Sequence, residues 1–111
     1  MLSIRRILNN LEMKNLANVH PGEILAEEFL KPMNISAYKL SGDIGIPQTR
    51  TSAILKGARG ITADTALRLS LYFGTTPKFW LGRQDDYDLE ETLKSKQDEL
   101  HKIKKIEHHV A

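Results

Sequence analysis

The sequence lacks cysteine, is poor in aromatic residues and has no long apolar run. Among its 111 residues there are no cysteines, 6% are aromatic, and the mean hydropathy is -0.37. The absence of cysteine excludes a disulfide scaffold and every thiolate metal site. The absence of a long apolar run excludes a transmembrane helix, and the opening MLSIRRILNNL lacks the features of a secretory signal. We therefore expect one soluble, cytoplasmic domain with no membrane partner.

Catalytic motifs are also missing. No glycine-rich phosphate loop, nucleophile elbow or metalloprotease helix occurs, so we expect no enzymatic activity, no cofactor and no metal site. The net charge of +2 is too small to indicate nucleic acid by itself. The distribution of charge is more informative, because the stretch 36–60 contains a single acidic residue, Asp43, and four basic ones: Lys39, Arg50, Lys56 and Arg59.

From His20 onward, proline and glycine interrupt the chain at short intervals, and the apolar residues between them have helical spacing. No stretch has the alternation of a strand. Start and stop signals predict five helices: one from Pro21, one capped by Ser36 and ended by Gly45, one from Pro47 to Gly57, one from Thr62 to Gly74, and one opened by Thr76-Pro77. The pattern predicts an all-α fold.

The two ends of the chain are organised differently. Residues 1–19 are predicted to be an arm or a short helix, because Ile4, Ile7, Leu8 and Leu11 have helical spacing. Residues 20–93 are predicted to be the main domain. Residues 94–111 are predicted to be a helical extension, because the apolar residues near this end recur every three, four or seven positions: Leu89, Leu93, Leu100, Ile103, Ile106 and Val110.

The second and third helices are joined so tightly, by Gly45-Ile46, that they must cross steeply, as in a helix-turn-helix. With the apolar residues inward, four small or polar side chains face outward: Gln48, Thr49, Ser52 and Ala53. Such a helix fits the major groove of DNA and can contact base edges. The cations Lys39, Arg50, Lys56 and Arg59 are the candidates for phosphate or mixed contacts. The alternative is that the polar face is an ordinary solvated surface.

The run from His20-Pro21-Gly22-Glu23 to Tyr87-Asp88-Leu89 resembles a HigA-type antitoxin of the lambda-repressor-like (XRE) helix-turn-helix class. The resemblance rests on HPGEIL, on LKGARGITADTALRLSLYFGTTPKFWL and on the closing Tyr-Asp-Leu. It implies a five-helix domain, a homodimer, repression of the protein's own operon, and neutralisation of a HigB-type RNA-cleaving toxin. The dimer interface is expected at five residues of the fifth helix: Phe79, Trp80, Leu81, Tyr87 and Leu89. The alternative is that Phe79-Trp80-Leu81 is ordinary core, with Trp80 pointing inward. Two rivals are a stand-alone repressor without a toxin and an interaction protein that does not bind DNA.

The chain departs from its relatives in three places. Ser41-Gly42 replaces an alanine and a bulkier residue, and a glycine inside a helix costs about 1 kcal/mol relative to alanine. Pro47 removes a hydroxyl cap and a backbone donor, and Thr51 replaces an aliphatic residue, which should weaken packing slightly. Relatives also begin only a few residues before His-Pro-Gly, so Met13 is an expected alternative start.

Overall fold

The computed structural model of the protein describes residues 18–107. The predicted N-terminal helix, the Met13 start and Val110 lie outside the described residues. Within residues 18–107 all regular structure is helical, as predicted. The first helix, α1, consists of Pro21–Ile24, a π-helical stretch Leu25–Leu30 and Lys31–Met33; the others are α2 (Ala37–Ile44), α3 (Gln48–Leu55), α4 (Ala63–Phe73), α5 (Pro77–Ser95) and α6 (Gln97–His101). No sequence pattern indicated the π-helical stretch.

The described residues belong to two compact units. Val19–Asp88 form one, and Asn18 groups with the described residues from Leu89 onward in the other. The first unit contains α1 to α4 and most of α5, and therefore the complete helix-turn-helix.

The predicted helix signals are confirmed. The hydroxyls of Ser36 and Thr62 accept hydrogen bonds from the backbone N–H three residues further on, which satisfies a donor at the start of α2 and of α4. Gly45 and Gly74 end the same helices in the left-handed conformation, with φ of 72° and 75°. Glycine adopts this conformation at no steric cost, so both helices end where the sequence predicts.

The core of Val19–Asp88 is made by residues from all five helices and from the loops between them. Its buried apolar members are Leu25, Leu30, Leu40, Ile44, Ile46, Ile54, Ile61, Ala66, Leu69 and Trp80. Trp80 is fully buried, and its indole Nε1 donates to Thr75 Oγ1 at 2.8 Å. Of the two interpretations of Trp80, its burial supports the core position over the dimer interface, because this side chain has no surface left for a partner.

The start of α1 packs directly on the end of α3. A Cβ on Gly22 would lie 1.8 Å from the backbone oxygen of Ile54, so only glycine permits this approach. The contact fixes α1 against the helix that was predicted to bind DNA.

The predicted helical extension is only partly present. Helix α5 ends at Ser95, α6 ends at His101, and residues 103–107 are not helical. Ile103 and Ile106, which completed the predicted periodicity, are exposed. The prediction of one continuous helix is wrong for the described part of the extension, where the helix is interrupted at Lys96 and ends at His101.

Candidate nucleic-acid interface

A three-residue turn, Gly45-Ile46-Pro47, sets the geometry between α2 and α3. The N–H groups of Gly45 and Ile46 both donate to the Ser41 carbonyl, at 2.9 and 3.1 Å, and the Ile46 side chain is buried. Pro47 supplies no side-chain cap, as predicted, but its carbonyl accepts from the N–H groups of Arg50 and Thr51 at 3.0 and 3.2 Å. The start of α3 is thus ordered without a hydroxyl cap.

The four predicted base-reading residues line one shallow groove of about 500 Å³. Gln48, Thr49, Ser52 and Ala53 form its α3 side. Lys56 lies at the end of the same surface, and Ala37, Tyr38 and Ala58 complete it. Small side chains at its centre leave room for a close approach, and amide and hydroxyl groups are available for hydrogen bonds.

Tyr38 is the largest of the three groove residues that the sequence did not indicate, the others being Ala37 and Ala58. Its side chain is 72% exposed, and it stands on α2 beside the outward face of α3. Once Leu40, Ser41 and Ile44 are taken as the inner face of α2, helical spacing does turn Tyr38 outward. Its position next to α3, however, follows only from the geometry of the turn.

The four predicted phosphate-binding cations occupy different environments. Lys56 lines the groove and Arg59 is exposed on the loop after α3. Lys39 lies away from the groove and pairs with Asp43, with Nζ 2.9 Å from Oδ2. The hydrogen bond to Asp43 raises the pKa of Lys39. The structure therefore groups Lys56 with the outward face of α3 and leaves Lys39 out of that surface.

Arg50 also points elsewhere. Its side chain is 30% exposed, and Nη1 lies 3.7 Å from Oδ2 of Asp64 at the start of α4. Arg68 shares that carboxylate and donates from Nη1 to the Ile44 carbonyl at 2.8 Å, which caps the end of α2. Arg50 thus belongs to a charge cluster that holds α2, α3 and α4 together.

Two of the departures from the family pattern meet inside the motif. The hydroxyls of Ser41 and Thr51 are joined by a 2.6 Å hydrogen bond between α2 and α3, and both residues are buried. The Ser41 hydroxyl also donates to the Ala37 carbonyl at 2.9 Å. Thr51 in the core is therefore satisfied by a partner, which offsets the packing lost with the aliphatic residue.

The loop after α3 is held by two buried polar side chains. The Ile61 N–H donates to Gln84 Oε1 of α5 at 2.8 Å. His20 accepts from the Gly22 N–H through Nδ1 at 2.9 Å, and its ring lies against Gly57, where an added Cβ would be 3.6 Å away. Desolvation lowers the pKa of His20, although the charge of Asp88 and the Arg59 backbone oppose this shift. A neutral imidazole is consistent with its acceptor role.

Within residues 18–107, no helix combines the length and the hydropathy that a membrane-spanning segment needs. No protein-family model matches the sequence.

Individual proteins are similar to the chain over most of its length. It is 49% identical over 79 residues to virulence-associated protein I of Dichelobacter nodosus, which covers 71% of the chain and 73% of that relative. It is 35% identical over 88 residues to antitoxin HigA-1 of Vibrio cholerae, which covers 79% and 83%.

Solved structures of HigA proteins are also similar to this chain. An addiction module antidote protein of a HigA family from Coxiella burnetii superposes with a TM-score of 0.77 at 48% identity, over 82% of this chain and all of that one (100%). Pseudomonas aeruginosa antitoxin HigA, solved with the higBA promoter, gives 0.77 at 35% identity over 79% and 97%.

Proposed function

Because this chain belongs to the HigA family of helix-turn-helix antitoxins, we propose that it represses its own toxin–antitoxin operon through α3 and neutralises a HigB-type RNA-cleaving toxin by direct binding. The chain is a DNA-binding protein of all-α, lambda-repressor-like fold and not an enzyme. The observation that carries the operator-binding part is the small, polar, outward face of α3 in an open groove, in a family in which a relative was solved with promoter DNA.

Base recognition is assigned to Gln48, Thr49, Ser52 and Ala53. The Gln48 amide can offer a donor and an acceptor to adenine, and Ser52 lies one helical turn later. Thr49 and Ala53 bring methyl groups that suit the methyl of thymine. Ser52 and Ala53 are half-buried, and their small side chains allow the helix backbone to approach base edges closely.

Phosphate binding is assigned chiefly to Lys56 and Arg59. Both are exposed at or just beyond the end of α3, where side chains reach for the DNA backbone. The ion pairs of Lys39 with Asp43 and of Arg50 with Asp64 argue for a smaller contribution from these two cations, since each would have to leave its partner.

Homodimerisation through α5 is part of the proposal. One recognition helix seldom buries enough surface for tight specific binding, and two-fold dimers bind paired half-sites. With Trp80 in the core, the remaining candidates on α5 are Phe79, Leu81, Tyr87 and Leu89. The most exposed of them is Leu89, at 64%.

The operator assignment is tested with Gln48→Ala and Lys56→Ala, measured on operator and scrambled duplexes across a salt series. Gln48→Ala should cost about 1–3 kcal/mol of binding free energy on the operator and leave the affinity for scrambled DNA nearly unchanged. Lys56→Ala should weaken both, and its slope of log affinity against log salt should shrink by about 0.9 per lost phosphate contact. Lys104→Ala, which removes the same charge outside the helix-turn-helix, is the control. Equal losses of Gln48→Ala on both duplexes would contradict base reading by α3.

The toxin assignment is tested by co-expression with the small reading frame adjacent to this gene. Co-purification of the two proteins and restored growth of toxin-expressing cells are expected. Operator binding without either result would favour the stand-alone repressor, and failure of a gel shift with the upstream promoter would favour the pure interaction protein.

A further inference from the structure

The backbone of the loop at residues 57–61 rests on a buried glutamine that comes from a distant part of the sequence. Gln84 accepts from the Ile61 N–H at 2.8 Å and donates from Nε2 to Asp88 Oδ1 at 3.0 Å. A Cβ on Gly60 would lie 3.0 Å from the Gln84 amide, so the loop lies directly on this side chain. Both halves of the amide are therefore used, one for the loop and one for its own helix.

The other end of the loop is held by His20. A Cβ on Gly57 would lie 3.6 Å from the His20 ring, so the ring lies against the start of the loop. The ring packs edge-on against Tyr87, with centroids 4.8 Å apart. Buried side chains thus lie against the loop on both sides of Arg59, while the Arg59 side chain stays exposed.

We infer that Gln84 is a positioning residue for DNA binding, which fixes the loop backbone so that Arg59 meets a phosphate; this rests on the proposed role of the loop in operator binding. A surface loop is ordinarily mobile, and a loop already in its bound conformation loses less conformational entropy when it binds. Filling the core alone would not require an amide, because an apolar side chain avoids the cost of burying a polar group. The amide of Gln84 instead binds the Ile61 N–H and so orders the loop.

The test compares Gln84→Met with the swap Gln84→Glu/Asp88→Asn. Methionine keeps the volume but leaves the Ile61 N–H unpaired. The swap restores both bonds: a carboxylate at position 84 still accepts from the Ile61 N–H, and it accepts from the amide at position 88, so donor and acceptor are reversed only between positions 84 and 88. We expect Gln84→Met to weaken binding to operator and to scrambled DNA by the same factor, roughly threefold to tenfold. The slope of log affinity against log salt should become shallower by up to about 0.9. The swap should recover affinity and slope. A purely structural role would lower Tm and leave the slope of the folded protein unchanged.

A double-mutant cycle identifies the residue through which Gln84 acts. If Gln84 acts through Arg59, Gln84→Met should have little further effect on DNA binding in an Arg59→Ala background. If Gln84→Met causes its full loss of DNA affinity in the Arg59→Ala background as well, the inference is overturned. It is also overturned if a folded Gln84→Met protein keeps the wild-type affinity and salt dependence. If Gln84→Met does not fold, Gly60→Ala is the second variant, because its Cβ would crowd the same amide. The same changes in DNA affinity and in salt dependence are expected from it.

The DNA-binding measurements distinguish a failure of the Gln84 inference from a failure of the proposed function. If Arg59→Ala changes nothing while Gln48→Ala and Lys56→Ala behave as expected, this inference fails and operator binding by α3 stands. If Gln48→Ala and Lys56→Ala also leave operator binding unchanged, the proposed function fails.

Discussion

At the scale of single residues, the helix-turn-helix is joined by polar groups that sit in its core. Ser41 and Thr51 share a 2.6 Å hydrogen bond, and Ser41 also donates to the Ala37 carbonyl. Removing one partner of a buried pair leaves the other unsatisfied, whereas removing both can be nearly neutral. The two positions should therefore be strongly coupled.

This coupling can be measured by urea unfolding. Ser41→Ala should destabilise the protein by about 1–3 kcal/mol, because the Thr51 hydroxyl loses its partner. Thr51→Val should cost less, because Ser41 keeps its bond to Ala37. The double variant should be clearly more stable than the sum of the single effects indicates. Additive free energies of unfolding would show that the hydrogen bond contributes nothing.

His20 makes stability depend on pH. Its pKa is lowered in the folded state, chiefly by desolvation, from an ordinary value of 6.5. The unfolded chain therefore binds a proton more readily. The stability that His20 contributes is complete above pH 6.5 and is lost as pH falls from 6.5 toward the lowered pKa.

We expect the free energy of unfolding to fall between pH 7 and pH 5.5 in the wild type, a window chosen to limit the effect of carboxylate titration. His20→Asn, which keeps a capping side chain, should remove most of this pH dependence. His101→Gln, at an exposed position, is the matched control and should retain it. An unchanged slope in His20→Asn would assign the effect to other groups.

At the scale of helices, two glycines in α1 and α2 have opposite roles. Gly22 allows the start of α1 to touch the Ile54 carbonyl, whereas a Cβ on Gly42 would meet nothing within 4 Å. Gly42 thus weakens α2 without any packing reason in the described structure. Helix α2 is stabilised at its ends instead, by the Ser36 cap and by Arg68 on the Ile44 carbonyl.

Alanine substitution should separate these roles. Gly42→Ala should stabilise the protein by about 0.5–1 kcal/mol through lower backbone entropy in the unfolded chain. Gly22→Ala should destabilise it or displace α1, because of the overlap with Ile54. Chemical denaturation of both variants checks this, and a destabilised Gly42→Ala would point to a contact on that face in the native assembly.

At the scale of the whole molecule, assembly must use surface that folding leaves exposed. Trp80 is buried in the core, where it packs against Phe29, Phe73 and Phe79. Truncating such a residue to alanine costs about 3–5 kcal/mol, so a Trp80 variant reports on folding and not on dimerisation. An exposed leucine is the better probe.

Leu89→Glu should give a folded monomer by sedimentation at micromolar concentration, with weaker operator binding, because a charge cannot be buried in an apolar interface without a partner. Leu71→Glu is the matched control on α4, where the leucine is 86% exposed. A monomer in Leu71→Glu together with a dimer in Leu89→Glu would move the interface to α4.

The sequence by itself determined the helices of residues 20–93 and the outward face of α3. Helix signals are local, since Ser36 and Thr62 act on backbone three residues away and Gly45 and Gly74 act through their own φ. Periodicity likewise assigns an inner and an outer side to a single helix.

Only the tertiary structure decided which side chains share a surface. It placed Tyr38 beside α3, tied Arg50 to Asp64, buried Trp80 and brought Gln84 to Ile61, which is 23 residues away. Whether a cation is free or paired, and whether an aromatic residue is core or surface, depends on neighbours from other helices. Such contacts leave no periodic trace in the sequence, because they are set by how whole helices pack.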